Sequence, residues 1–168
     1  VSTQAFSEFY VSTLAGRTPA QGHPPREEVL ASCVPPRLLA AGRESIGQHR
    51  RAGHTLVLTT ATNRFITELT ASELNLSHLI ATECEVAADG RFTGRATGTL
   101  NMRDGKLVRL QNWLAARGER LDGRHSVFYS DSFNDLPLLS AVVQPVAVDP
   151  DPRLAAEAQR RGWTVLRW

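Results

Sequence analysis

"VFYSDSFNDLPLL", residues 127–139, runs from an apolar triplet into two aspartates, Asp131 and Asp135, four positions apart. Val127, Phe128 and Tyr129 read as a short buried strand, and Leu136, Leu138 and Leu139 then open a helical pattern with Pro137 tolerated in its first turn. The carboxylates therefore fall on a strand-to-helix turn. In an open α/β sheet such turns lie at the carboxyl edge of the strands, where ligands bind. Solubility does not require either aspartate there. A carboxylate pair with Ser132 and Asn134 between suits a hard cation that takes oxygen ligands, such as Mg²⁺.

Outward from this stretch the chain alternates. "TLVLT" (55–59) reads as a strand, "NRFITELTASELNL" (63–76) as a helix, and "LIATECEVAADGRFTGRATG" (79–98) as two extended runs turning at Asp89 and Gly90, a hairpin signal. Helix 106–117, strand 126–129, helix 132–141, strand 145–148, helix 152–161 and a last strand "WTVLR" follow. Strands alternating with helices of this length predict βαβ units and a largely parallel sheet. The expected fold class is thus α/β, a Rossmann-like core over residues 35–168 with a β-hairpin insertion.

Upstream, residues 5–15 place Phe6, Phe9, Tyr10 and Leu14 at helical spacing before Gly16, and "PPREEVLASCV" starts another helix with Pro at its entry. Residues 1–34 read as a small helical segment. Pro35 and Pro36 suggest a hinge, after which one amphipathic helix runs to Gly53, a C-terminal cap.

Composition narrows the class of function. With 168 residues, 42% hydrophobic and 21% charged, the chain can bury a core. A net charge of +2 and dispersed arginines give no basic stripe for nucleic acid. No apolar run approaches the roughly 20 residues of a membrane span, and the N-terminus lacks a signal-peptide layout. Cys33 and Cys84 lie far apart without a CxxC partner, which speaks against a disulfide scaffold or a zinc site and for a reducing, cytoplasmic setting. Both read as small buried hydrophobes. His49 and His54 flank a helix end and read as end-of-helix polar groups, and Trp113 as packing.

Two further features stand at strand or helix ends. Thr59, Thr60 and Thr62 in "LVLTTATN" follow an apolar strand and precede a helix, where hydroxyls and free backbone N–H groups form an anion site; they also serve simply as strand and cap residues. Lys106, in "NMRDGKLVRL", puts a cation at a helix start, against the helix dipole.

In order, these stretches resemble the haloacid dehalogenase superfamily of phosphohydrolases, in its phosphoserine-phosphatase-like branch with a helical cap. "VLTTATN" is similar to the second motif, Lys106 in "GKLVRL" to the third, "YSDSFNDLPLL" to the acidic fourth, and "PVAVDPDPRLAAEAQRRGW" to the usual C-terminal ending. The resemblance spans nearly the whole chain, and residues 1–34 become an incomplete cap. It implies hydrolysis of a small-molecule phosphomonoester through an aspartyl-phosphate intermediate with Mg²⁺. Thr60, followed by the small Ala61, would bind the phosphoryl oxygens together with Lys106. Asp131 would bind Mg²⁺, and Asp135 would hold a metal-bound water or position Lys106. Charge neutralisation and positioning are what phosphoryl transfer needs.

One departure matters. The family's first motif, Asp-x-Asp after a strand, supplies the nucleophile, and it is not in this sequence. Asp149-Pro150-Asp151 is the only Asp-x-Asp present, but it follows the fourth motif and its prolines make a plain turn the better reading. Two classes of function follow: a phosphatase whose nucleophile lies on an upstream segment paired with this chain, or a non-catalytic phosphate-binding or protein-interaction relative. In the first, the missing strand lies between the strands ending at Thr60 and Asp131, so those two strands should not pair with each other.

Overall fold

The computed structural model describes Glu8, Phe9 and residues 11–19, 40–121 and 125–168. The expected helix at 24–34, the Pro35–Pro36 hinge, the 34/35 boundary and Cys33 lie outside these residues. Two compact units follow one another in sequence, residues 1–101 and 102–168.

In the first unit, helix α1 (Ala40–Arg51) leads to strand β1 (Val57–Asn63), helix α2 (Arg64–Glu73), and strands β2 (His78–Val86) and β3 (Phe92–Thr97). Helix α1 stops where the sequence puts Gly53. That residue takes φ 74°, and His54 N donates to His49 O while Gly53 N donates to Arg50 O, a glycine-terminated helix end. Helix α2 begins at Asn63, whose Oδ1 accepts from Ile66 N at 3.0 Å. β1 pairs in parallel with β2, and β2 in antiparallel with β3. The hairpin turns at Asp89 and Gly90 as expected, with Gly90 at φ 79°. Leu14, Phe65 and Phe92 form this unit's buried cluster, with Ile66 and Cys84 against it.

The second unit holds α3 (Asp104–Ala115), β4 (Val127–Ser130), a 3₁₀ turn (Phe133–Asp135), α4 (Leu136–Leu139), β5 (Gln144–Val148), α5 (Pro152–Arg161) and β6 (Thr164–Leu166). Its three strands are all parallel, in the order β4-β5-β6. Leu139, Ala147, Leu154 and Ala158 are fully buried between sheet and helix, with Phe128, Phe133 and Trp163 packed on them. The helix expected at 132–141 is a 3₁₀ turn and one α-helical turn. Ser132 Oγ accepts from Asn134 N, a side-chain bond that competes with a regular helix, and Asp135 N donates to Ser132 O in an i→i−3 bond.

The alternation of strand and helix thus follows the sequence. The strands described form two sheets of three, β1-β2-β3 and the all-parallel β4-β5-β6. Within these, β1 and β4 are not paired with each other. Among the described residues no helix is long and apolar enough to cross a membrane.

Gly94 shows how tightly the first unit is closed. It sits in β3 at φ 82°, and a Cβ there would lie 2.9 Å from Ala15 Cβ and 3.4 Å from Ser12 Cα. Gly94→Ala is expected to destabilise the protein by at least the roughly 1–2 kcal/mol of a left-handed backbone, with the clash adding to it. Urea denaturation measures this; a loss under about 0.5 kcal/mol would mean the 12–15 segment gives way freely.

Candidate active site

Lys106 is the only buried residue of α3. An ammonium in the first turn of a helix faces the positive end of the dipole and loses water on burial. Its position is explained by Asp135. Nζ lies 2.6 Å from Asp135 Oδ1 and donates to Oδ2 at 2.8 Å, with the two side chains 7% and 11% exposed. Ser130 Oγ donates to the same Oδ2 at 2.7 Å. Phe128 covers the ammonium, 5.9 Å from its ring centre.

The turn after β4 is arranged to hold that carboxylate. Ser130 Oγ accepts from Ser132 N, Ser132 Oγ from Asn134 N, and Asp135 N donates to Ser132 O. Residues 130–135 are thereby closed on themselves, with Asp135 turned inward and Asp131 exposed. The two aspartates singled out from the sequence have different surroundings. Both oxygens of Asp135 face Lys106, while Asp131 is the carboxylate open to a ligand. Among the described residues no three His, Cys, Asp or Glu side chains form a ready metal cage. Mg²⁺ does not need one, since it binds through one or two carboxylates and keeps water and phosphate oxygens; Asp131 fits that donor set.

In the first unit the threonine run sits where the parallel ladder shifts register, between Thr59↔Ile80 and Asn63↔Thr82. Between them Thr60 Oγ1 accepts from Thr62 N at 3.2 Å, and Thr60 and Ala61 are half-buried. Thr59 is used differently: its Oγ1 accepts from Asn101 Nδ2 at 3.0 Å. The same fully buried amide donates to Thr60 O and Ile80 O. Asn101 thus ties the run to β2.

Residues 2–140 match the haloacid dehalogenase-like hydrolase family. The chain belongs to that family. It is similar over 165 residues, at 38% identity, to the histidinol-phosphatase of Neisseria meningitidis, a match covering 98% of this chain and 74% of the relative. It is 35% identical over 152 residues to phosphoserine phosphatase SerB1 of Mycobacterium tuberculosis, covering 90% of this chain and 48% of that one. A solved structure of a protein with unknown function from Bordetella pertussis superposes with a TM-score of 0.92 at 42% identity, covering 99% of this chain and 74% of that chain. The hydrolase falls in the phosphoserine-phosphatase-like branch.

Three residues of this haloacid dehalogenase-like chain escaped the sequence reading. Ser130 carried a signal, a small hydroxyl ending a buried strand, but its bond to Asp135 needs the turn's geometry. Asn101 lies 41 and 42 residues from its threonine partners, and nothing local marks it. Asp151, weighed only within Asp149-Pro150-Asp151, caps α5: Oδ1 accepts from Arg153 N and Leu154 N, and Oδ2 from Phe133 N.

Lys106→Met would leave the Asp135 carboxylate buried without its counter-charge. A loss of about 3–5 kcal/mol is expected, read from urea unfolding; a loss below about 1 kcal/mol would mean that the pair behaves as if solvated. Asp151 gives a pH prediction. Burial pushes its carboxyl up, but the amides of Phe133, Leu154 and Arg153 and the Arg153 charge outweigh this and hold it below the ordinary value. A group depressed in the folded state stabilises above its unfolded value, about 3.9, and loses that stabilisation as pH falls through the folded value. Between pH 5 and 3 the wild type should lose more stability than Asp151→Asn. Parallel losses by thermal melting would contradict it.

Proposed function

We propose that this hydrolase is a Mg²⁺-dependent phosphatase of small phosphorylated metabolites, with phosphorylated amino alcohols and amino acids as the substrate class. The observation that carries this is the buried Lys106, gripped by both oxygens of Asp135 on the same turn that exposes Asp131. A buried ion pair is a poor way to stabilise a fold, so its retention beside an open carboxylate points to chemistry. The matched relatives named histidinol-phosphatase and phosphoserine phosphatase support the substrate class.

The roles divide as follows. Lys106 presents its remaining N–H to phosphoryl oxygens and balances their charge, while Asp135 fixes its rotamer instead of ligating metal. Thr60 offers its hydroxyl to the non-bridging oxygens. Asp131 would hold Mg²⁺, which when bound supplies charge for the phosphoryl oxygens. The nucleophile is an aspartate on a segment outside this sequence: its carboxylate attacks phosphorus as the P–O bond to the substrate alcohol breaks and the alcohol leaves, and water then attacks the aspartyl-phosphate to release inorganic phosphate and restore the carboxylate. Two facts support that outside segment: among the described residues β1 and β4 are each the end strand of a three-stranded sheet, and the matches span 74% and 48% of the two relatives.

The test is phosphate release by the full-length protein from histidinol phosphate, phosphoserine and an aryl phosphate, with and without Mg²⁺. Turnover should need the metal and fall roughly 10²–10³-fold in kcat/KM for Thr60→Val. Asp131→Asn should weaken Mg²⁺ binding in calorimetry. A folded full-length protein that hydrolyses no phosphomonoester would instead be a non-catalytic relative.

A further inference from the structure

We propose that Asp151 is a positioning residue for the turn that carries Asp131, and that its helix cap is the lesser of its two roles. Asp151 N donates to Asp131 O at 2.8 Å, and Phe133 N donates to Asp151 Oδ2 at 2.6 Å. One residue thus takes hold of the peptide groups on both sides of Ser132. The backbone from which the Asp131 carboxylate projects is fixed by these two bonds.

The clamp lies where the sheet can no longer do this. β4 and β5 pair in register up to Ser130↔Ala147, and beyond that pair the ladder gives no support to residues 131–133. Asp149, at φ 41°, turns the chain after β5, and Asp151 follows two residues later. A second contact joins the same two turns: the Arg153 guanidinium stacks on the Phe133 ring, 4.0 Å from its centre. Asp151 Oδ1 is fully used by Arg153 N and Leu154 N, both at 2.9 Å, so Oδ2 is committed to Phe133. A carboxylate holding three amides is unsuited to act as a nucleophile, so Asp151 does not serve as one.

The consequence for metal rests on the proposed function; the clamp itself does not. Asp151 acts on the backbone that aims the Asp131 carboxylate rather than on the carboxylate itself, and losing an outer partner that orients a metal ligand typically reduces metal affinity about 10–100-fold.

The experiment uses the full-length protein and two variants. Asp151→Ser keeps a good helix cap but has no second oxygen for Phe133 N. Asp151→Asn keeps the cap on its Oδ1 and turns an N–H₂ toward the Phe133 N–H. Amide hydrogen exchange of Phe133 and of Leu154, calorimetric Mg²⁺ affinity, and kcat and KM are measured for each. Exchange at Phe133 should rise at least roughly tenfold while Leu154 in Asp151→Ser stays protected, with Mg²⁺ affinity down about 10–100-fold. If Asp151→Ser does not fold, Asp151→Asn decides on the same readings. Unchanged exchange at Phe133, or a Mg²⁺ affinity equal to wild type, overturns the proposal and leaves Asp151 a helix cap. A wild type that binds no Mg²⁺ sinks the metal reading of Asp131 instead, and Phe133 exchange then still decides the clamp.

Discussion

The site in the second unit depends on keeping one ammonium dry. Lys106 is placed where desolvation and the helix dipole both oppose its charge, so the fold must supply a carboxylate with both oxygens turned to it and little freedom to leave. Asp135 can be that carboxylate only because the residues before it stop short of a regular helix. A smooth α-helix from Ser132 would leave Ser130 Oγ and Asp135 without the tight turn that brings them to 2.7 Å. The short 3₁₀ segment is therefore a requirement of the charge. Its irregularity belongs with the local departures from ideal structure that proteins concentrate at working sites.

The threonine run is fixed by an unrelated device. There a neutral amide does the holding: Asn101 has two N–H groups and three oxygens around them, from Thr59, Thr60 and Ile80. The opposite amide orientation would set its oxygen against two carbonyls, so the donor face is dictated by the surroundings. Asn63 closes the other end of the run as the cap of α2. Buried asparagines thus bracket a segment where the ladder shifts register.

Much of this was legible in the sequence because the signals are local. Gly53 ends a helix where left-handed backbone is needed, Asp89-Gly90 turns the hairpin, and the Asp131–Asp135 spacing marks the strand-to-helix turn. What was not legible is long-range. Asn101 reaches back over 40 residues, Asp151 across 18 to Phe133, and periodicity carries no information about either. The different fates of Asp131 and Asp135 were also hidden, since identical side chains four apart become one open and one buried only through the turn between them.

The all-parallel arrangement of β4, β5 and β6 bears on how the chain closes. Parallel sheets are usually slow to assemble because their pairings join distant residues. Here Val127 meets Gln144 and Val146 meets Thr164, separations of 144 − 127 = 17 and 164 − 146 = 18 residues. The Lys106–Asp135 contact spans 29. Loop-closure entropy grows only as the logarithm of length, so the longer closure is disfavoured by only about 0.5 kcal/mol relative to a strand pairing. The chain can therefore delay burying its charged pair until the strands are aligned, at almost no entropic disadvantage, and the ammonium need not leave water before its counter-ion is in place.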